Sequence, residues 1–315
     1  QNTADMRTRG WELSMNWRDQ IGKVGYRVGF NLSDSQSKIV KYNSNESGIL
    51  TSTLSNGSTF WNYYEGKDLG EIWGYEYDGF YTVDDFTDTS SWKLKDGVPS
   101  IDGYNPRPGD VKFKNLMDDD RGTNMISSGD NTVSNPGDRK VIGNNTPRYL
   151  YGITLGANFK GFDLNVFMQG TGKRDTWIAN NLKFPLYSDF KFIALYKDLS
   201  NYWKPVDAAN GDYTAANPNA EFPRIYGNYG NQGSNYRQSD KYLSDASYFR
   251  IKNVTLSYTF PKAWIAKASL SQLKAFVSIE NLATFSSLPK GIDPETLSWN
   301  YPAFRTVSFG LNVTL

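Results

Sequence analysis

The chain has 315 residues, with 34 basic side chains against 33 acidic ones and a formal net charge of +1. That balance leaves no electrostatic footprint for nucleic acid. The absence of both cysteine and histidine excludes Cys/His zinc sites, cysteine nucleophiles and His-dependent triads. Mean hydropathy is −0.59, and no apolar run approaches the length of a helical membrane span. Neither observation bears on a barrel, whose strands show lipid only at every second residue. The stronger compositional signal is aromatic: 9 Trp, 21 Tyr and 18 Phe suit either membrane-interface girdles or sugar-stacking surfaces. The sequence opens Gln1-Asn2-Thr3 with neither an initiator Met nor a signal peptide, so a piece of something longer is expected.

Period-2 alternation dominates the chain. Trp11, Leu13, Met15 and Trp17 alternate with Glu12, Ser14, Asn16 and Arg18; Tyr26, Val28, Phe30 and Leu32 follow after a short link. Weaker strands are expected around Glu71–Thr82 and Val111–Lys114. Tyr149 to Phe159 then share one face at alternate positions. Lys160-Gly161 forms a two-residue turn, and Phe162, Leu164, Val166 and Met168 return on the same face. The stretch from about Gly172 to Ser247 reads as one long loop, with a short helix near Tyr196–Trp203 ended by Pro205. Val254 to Phe260 and Leu273 to Ile279 alternate again, joined by a link at Pro261–Ser271 that has room for one or two helical turns. Val307, Phe309, Leu311, Val313 and Leu315 end the chain. Phe167 and Phe276 break the pattern by falling on the polar side.

The pattern gives about nine strands, with short links mostly at one end and long loops at the other. That is the sidedness of an outer-membrane barrel, although a long link over Val83–Gly109 falls on the wrong side. A soluble glycan-binding β-sandwich or adhesin alternates in the same way. Each exposed large apolar side chain forgoes roughly 1.5–3 kcal/mol in water. Something apolar must therefore cover these faces, and a second sheet would serve as well as lipid. A glycosidase would need two facing carboxylates, and no pair stands out.

Motifs decide between these readings. Gly10-Trp11-Glu12-Leu13 with Asn16-Trp17-Arg18-Asp19 resembles the "GWEL…NWRD" strand of SusC-like, TonB-dependent receptors of Bacteroidetes-type outer membranes. Further matches keep the family's order: Gly70–Tyr75 with Asp78–Tyr81, Pro108–Lys114, Val141–Asn144 with Pro147–Gly152, and Gly161–Leu164 with Gln169-Gly170. Ala246–Leu256, Glu280–Leu282 and Ile292–Glu295 complete the succession.

The resemblance implies an all-β, antiparallel transmembrane barrel in which residues 1–315 supply the C-terminal part and 172–247 a long extracellular loop. It implies that the plug and TonB box lie outside this sequence, and that the piece alone neither closes nor transports. The implied location is the Gram-negative outer membrane, and the implied activity is TonB-dependent nutrient import rather than catalysis. Oligosaccharides are the expected cargo and peptides the alternative. The expected partners are a SusD-like surface lipoprotein, the TonB complex, the barrel assembly machinery and outer-membrane lipid.

Candidate sites follow. Ser308, Gly310, Val313 and Leu315 fit the terminal-strand signal read by barrel assembly, although Leu315 stands where many family members have Phe. Loop aromatics Trp61, Tyr63, Tyr64, Trp177, Tyr187, Tyr202, Trp203, Tyr226, Tyr229 and Tyr236 stack on ligand, pack the loops together or contact the SusD-like lid. Arg18, Arg27, Asp163, Gln169, Lys274 and Glu280 line the ligand path or bond one another or the plug. No cofactor is expected beyond a structural calcium at Asp118, Asp119 and Asp120, where the family often has an EF-hand-like loop. Here Asn115 and Met117 replace two of its donors.

Overall fold

The computed structural model describes residues 4–55, 58–101, 103–117, 125–178, 183–185, 197–226, 233–297 and 303–315. They form two compact units. One comprises Gln1–Arg7, Lys38–Asn145 and Thr176–Ser244; the other comprises Thr8–Ser37, Thr146–Asp175 and Asp245–Leu315.

The second unit is built on a seven-stranded sheet: β1 (Ala4–Ile21), β2 (Val24–Tyr42), β3 (Arg148–Phe159), β4 (Phe162–Lys173), β5 (Tyr248–Thr259), β6 (Gln272–Ser286) and β7 (Thr306–Thr314). Spatial order equals chain order, and every pairing from β2 to β7 is antiparallel. Connections therefore alternate between the two ends. One end holds Gly22-Lys23, Lys160-Gly161 and residues 260–271; the other holds residues 43–147, 174–247 and 287–305. The 260–271 link contains the expected helical turns, Lys262–Ile265 and Ala266–Ala268.

Two expectations change. The segments around Glu71–Thr82 and Val111–Lys114 are not strands of this sheet, so the count falls from about nine to seven. Glu71–Tyr75 pairs with Arg139–Asn144, and Tyr77–Phe80 pairs with Val111–Phe113, all inside the other unit. The physical reason is local burial: Tyr75, Val111 and Phe113 pack with Ile101 and Ile126 in a small core of their own. Residues 43–147 become a single long connection, and the anomalous link disappears. The expected helix near Tyr196–Trp203 is, in its described part, one 3-10 turn at Lys197–Leu199. Pro205 then opens a short hairpin to Asp212–Ala215.

The register aligns the alternating residues across strands. Val28, Leu155, Val166, Val254, Ile279 and Val307 form one cross-strand row. Tyr26, Ala157, Leu164, Leu256, Val277 and Phe309 form the next. These rows are uncovered, as Leu155 at 38% exposed, Leu256 at 42% and Phe309 at 80% show, and Trp17 on β1 is 62% exposed as well. A two-layer sandwich would bury all four, so the sandwich alternative fails here.

The opposite face is polar. Arg27, Gly156, Asn165, Thr255, Ser278 and Ser308 make one of its rows. Phe276 belongs to this face because it lies opposite Gly310, where any Cβ would overlap its ring. With acyl chains covering this face, a Leu155→Arg change is expected to cost about 2–4 kcal/mol of folding stability. Thr306→Arg, beside Glu280 on the polar face, should cost far less. Urea unfolding in vesicles measures both.

Candidate functional site

Arg18 and Arg27 come together on the polar face around open clefts of about 400 and 360 Å³. Asn16, Gly29 and Thr154 line one cleft, and Gln20, Gly25 and Asn158 the other. The glycines leave the room: Arg27 lies across Gly156, where a Cβ would strike the guanidinium. Arg27 donates to Asn165 Oδ1 and stands 4.0 Å from Asp163.

Toward the other end of the same face, the segment Asp293-Pro294-Glu295 is clamped by strand residues. Arg250 binds Asp293 at 2.9 and 3.0 Å and reaches Glu295 at 2.8 Å. Lys252 sits at the irregularity where Ile251 and Asn253 break register, and it holds Glu295 at 2.9 Å. Gln169 donates to Glu295 at 2.7 Å, and Arg174 donates to the Pro294 and Glu295 carbonyls. Gln169 therefore faces the polar side as expected. Its first partner is this internal segment. Lys274 pairs with Asn312 and Glu280 with Thr306, both on the same face.

In the other unit, most of the singled-out aromatics are packed. Tyr64, Trp203 and Tyr236 are buried, while Trp61, Trp177, Tyr202 and Tyr226 are half-buried. Tyr236 stacks on Phe184 at 4.5 Å and donates to the Pro185 carbonyl at 2.7 Å. Tyr64 packs with Leu50 and Trp73, and Trp177 and Tyr202 pack on the Phe184 cluster. Of the described rings in this set, Tyr63 alone is exposed, with the Lys67 amine 5.9 Å from its centroid. Tyr187, Tyr229 and the calcium candidates Asp118, Asp119 and Asp120 lie outside the described residues.

Sequence reading missed two features. The first is Asp110, fully buried with no cation bonded to it among the described residues. It accepts from Tyr104 Oη at 2.8 Å, Tyr226 Oη at 2.6 Å, the Arg107 amide at 2.7 Å and Asn235 Nδ2 at 3.0 Å. Burial raises its pKa, and these donors oppose the rise. Gly109 precedes it at φ +90°, with the Trp203 indole where a Cβ would be. The Pro-Gly-Asp motif was thus legible as a motif, but not as a hub joining residues far apart in the chain.

The second is Lys241, whose amine lies 4.1 Å from the Tyr77 ring centroid and 4.5 Å from that of Phe80. Burial pulls its pKa down to about 8, with Lys183 adding to the fall and Glu221 opposing it.

No family model matches the chain. Two curated proteins of Formosa agariphila do: TonB-dependent receptor P3 at 27% identity over 99% of this chain, and TonB-dependent receptor P26 at 22% over all of it. By sequence and fold, the chain is similar to TonB-dependent receptors. It spans 29% and 30% of those two relatives' lengths. Among solved structures, a RagAB peptide transporter aligns with a TM-score of 0.64 at 20% identity, covering 99% of this chain and 30% of that one. The RagAB peptide importer in its closed-closed state gives 0.65 at 20%, with the same coverage. The sheet is thus part of an outer-membrane β-barrel. No helix among the described residues is long and apolar enough to cross a bilayer, as expected where strands do the crossing.

Asp110→Ala takes the acceptor from four donors, Asn235 among them fully buried, and is expected to destabilise the unit that contains Lys38–Asn145 by about 1–3 kcal/mol, read as faster amide exchange at Val111 and Phe113. Lys241 gives a pH signature. Its folded pKa lies below the free value, so between about 8 and 10.5 the unfolded chain binds more protons. Stability should therefore rise with pH across that window and be flat below it. Lys241→Met should abolish the rise in pH-dependent exchange.

Proposed function

We propose that the protein containing this chain imports nutrient oligomers across the outer membrane, driven by TonB. The carrying observation is the two-faced sheet. Its uncovered apolar rows suit acyl chains, and its polar rows with Arg18 and Arg27 suit a water-filled or plug-filled interior. The names of the curated relatives support this reading. Those relatives are named as receptors, and in this reading binding and release carry the activity.

Oligosaccharides are our first cargo class, on the strength of the SusC-like motifs and the exposed Tyr63. Peptides are the second reading, supported by the likeness in fold to the RagAB peptide transporter. In the same reading residues 172–247 face the exterior, where a SusD-like lipoprotein serves as lid. The terminal residues Ser308, Gly310, Val313 and Leu315 guide assembly, and the TonB complex acts through parts of the protein beyond this chain.

Uptake of labelled oligosaccharides and peptides by cells expressing the full-length receptor, with and without TonB, tests the proposal. Oligosaccharide uptake that falls to background without TonB is the expected result. Peptide uptake alone would correct the cargo, and TonB-independent uptake would overturn the mechanism.

A further inference from the structure

The end of the sheet that carries the short connections is basic and aromatic together. Its three connections, Gly22-Lys23, Lys160-Gly161 and residues 260–271, hold Lys23, Lys160, Lys262 and Lys267 and no acidic residue. The acids nearest to them in sequence are engaged elsewhere: Asp163 accepts from Asn165 Nδ2 and stands 4.0 Å from the Arg27 guanidinium, and Asp19 accepts from the Gln20 amide at 2.7 Å. Just inside these turns runs the outermost apolar rung, Phe159, Phe162 and Tyr258. Phe162 and Tyr258 meet at 4.6 Å between centroids, Tyr258 and Phe260 at 5.0 Å, and Phe260 and Trp264 at 6.5 Å. The helical turn Lys262–Ile265 buries Ile265 and leaves Trp264 67% exposed. The Lys160 amine rests 5.2 Å from the Phe159 centroid, its stem lying along the apolar rung.

Amphipathic rings settle at the depth of lipid headgroups, and lysine stems extend along apolar surface to place an ammonium in the phosphate layer. Four cations without a neighbouring acid in the turns leave that layer's negative charge as their counterion. We propose that this rim is a binding surface for anionic phospholipid, gripping the phosphates of the leaflet on the short-turn side, with Trp264 as its aromatic anchor. The inference rests on the barrel reading, which fixes which end lies at which membrane face.

The test uses the full-length receptor in vesicles of phosphatidylcholine mixed with phosphatidylglycerol, with spin-labelled forms of each lipid reporting association with the protein. Selection of phosphatidylglycerol by roughly fivefold for each lysine that engages a headgroup is expected, and 1 M salt should erase it. Replacing all four lysines by Gln should remove the selection, whereas replacing them by Arg should keep it. Equal association of the two lipids with the unmodified receptor, or selection that survives 1 M salt or the Gln replacements, overturns the proposal while leaving the barrel reading intact. Failure of the receptor to enter either vesicle overturns both.

Discussion

The fold depends on one constraint: a sheet with an apolar face must cover that face, and in hydrocarbon every backbone donor and acceptor must be paired as well. Here the seven long strands leave rows such as Val28, Leu155, Val166, Val254, Ile279 and Val307 uncovered. In the proposed function, lipid satisfies the first demand. The second requires neighbours beyond β1 and β7, because an open strand edge in a bilayer costs several kcal/mol per unpaired group. The coverage of under a third of each relative fits that requirement: the remaining strands of such a barrel belong to sequence beyond these residues.

The two units solve different problems. In the sheet, hydrogen bonding runs along ladders and the charges sit on the polar face, bonded chiefly to one another. The Arg250, Lys252 and Gln169 grip on Asp293 and Glu295 ties the β6–β7 connection to strands β4 and β5. In the other unit short strands of two to six residues provide little regular pairing. Its order comes from three small aromatic cores and from buried polar hubs. Asp110 draws in Tyr104, Tyr226 and Asn235. Asp138 holds the amides of Leu116, Met117 and Ser127 at 2.6, 3.0 and 2.7 Å. A buried carboxylate is tolerable only when fully bonded, which makes each hub a strict specifier of one loop arrangement.

This division explains the fate of the aromatic residues. A long loop with few strands still has to bury enough apolar surface to be ordered. Tyr64, Trp203 and Tyr236 are used for that purpose inside the unit. Other rings stay exposed, among them Tyr63 in this unit and Trp264 at the short-turn end of the sheet. Abundant aromatics therefore mark two jobs at once, loop packing and interface anchoring, and composition does not separate them.

The sequence by itself determined the long strands, their two faces and the two-residue turns, because side-chain direction in a strand has period two and a register shift of one residue would invert every face. It also carried the family motifs in order, and so the receptor class. Tertiary structure decided what periodicity cannot encode. The segments at Glu71–Thr82 and Val111–Lys114 have strand-like residues but pair with partners inside the loop unit, since partner choice depends on contacts remote in sequence. The roles of Asp110 and Glu295 were likewise invisible, because a carboxylate's function is set by donors from distant positions that only folding brings within hydrogen-bond reach.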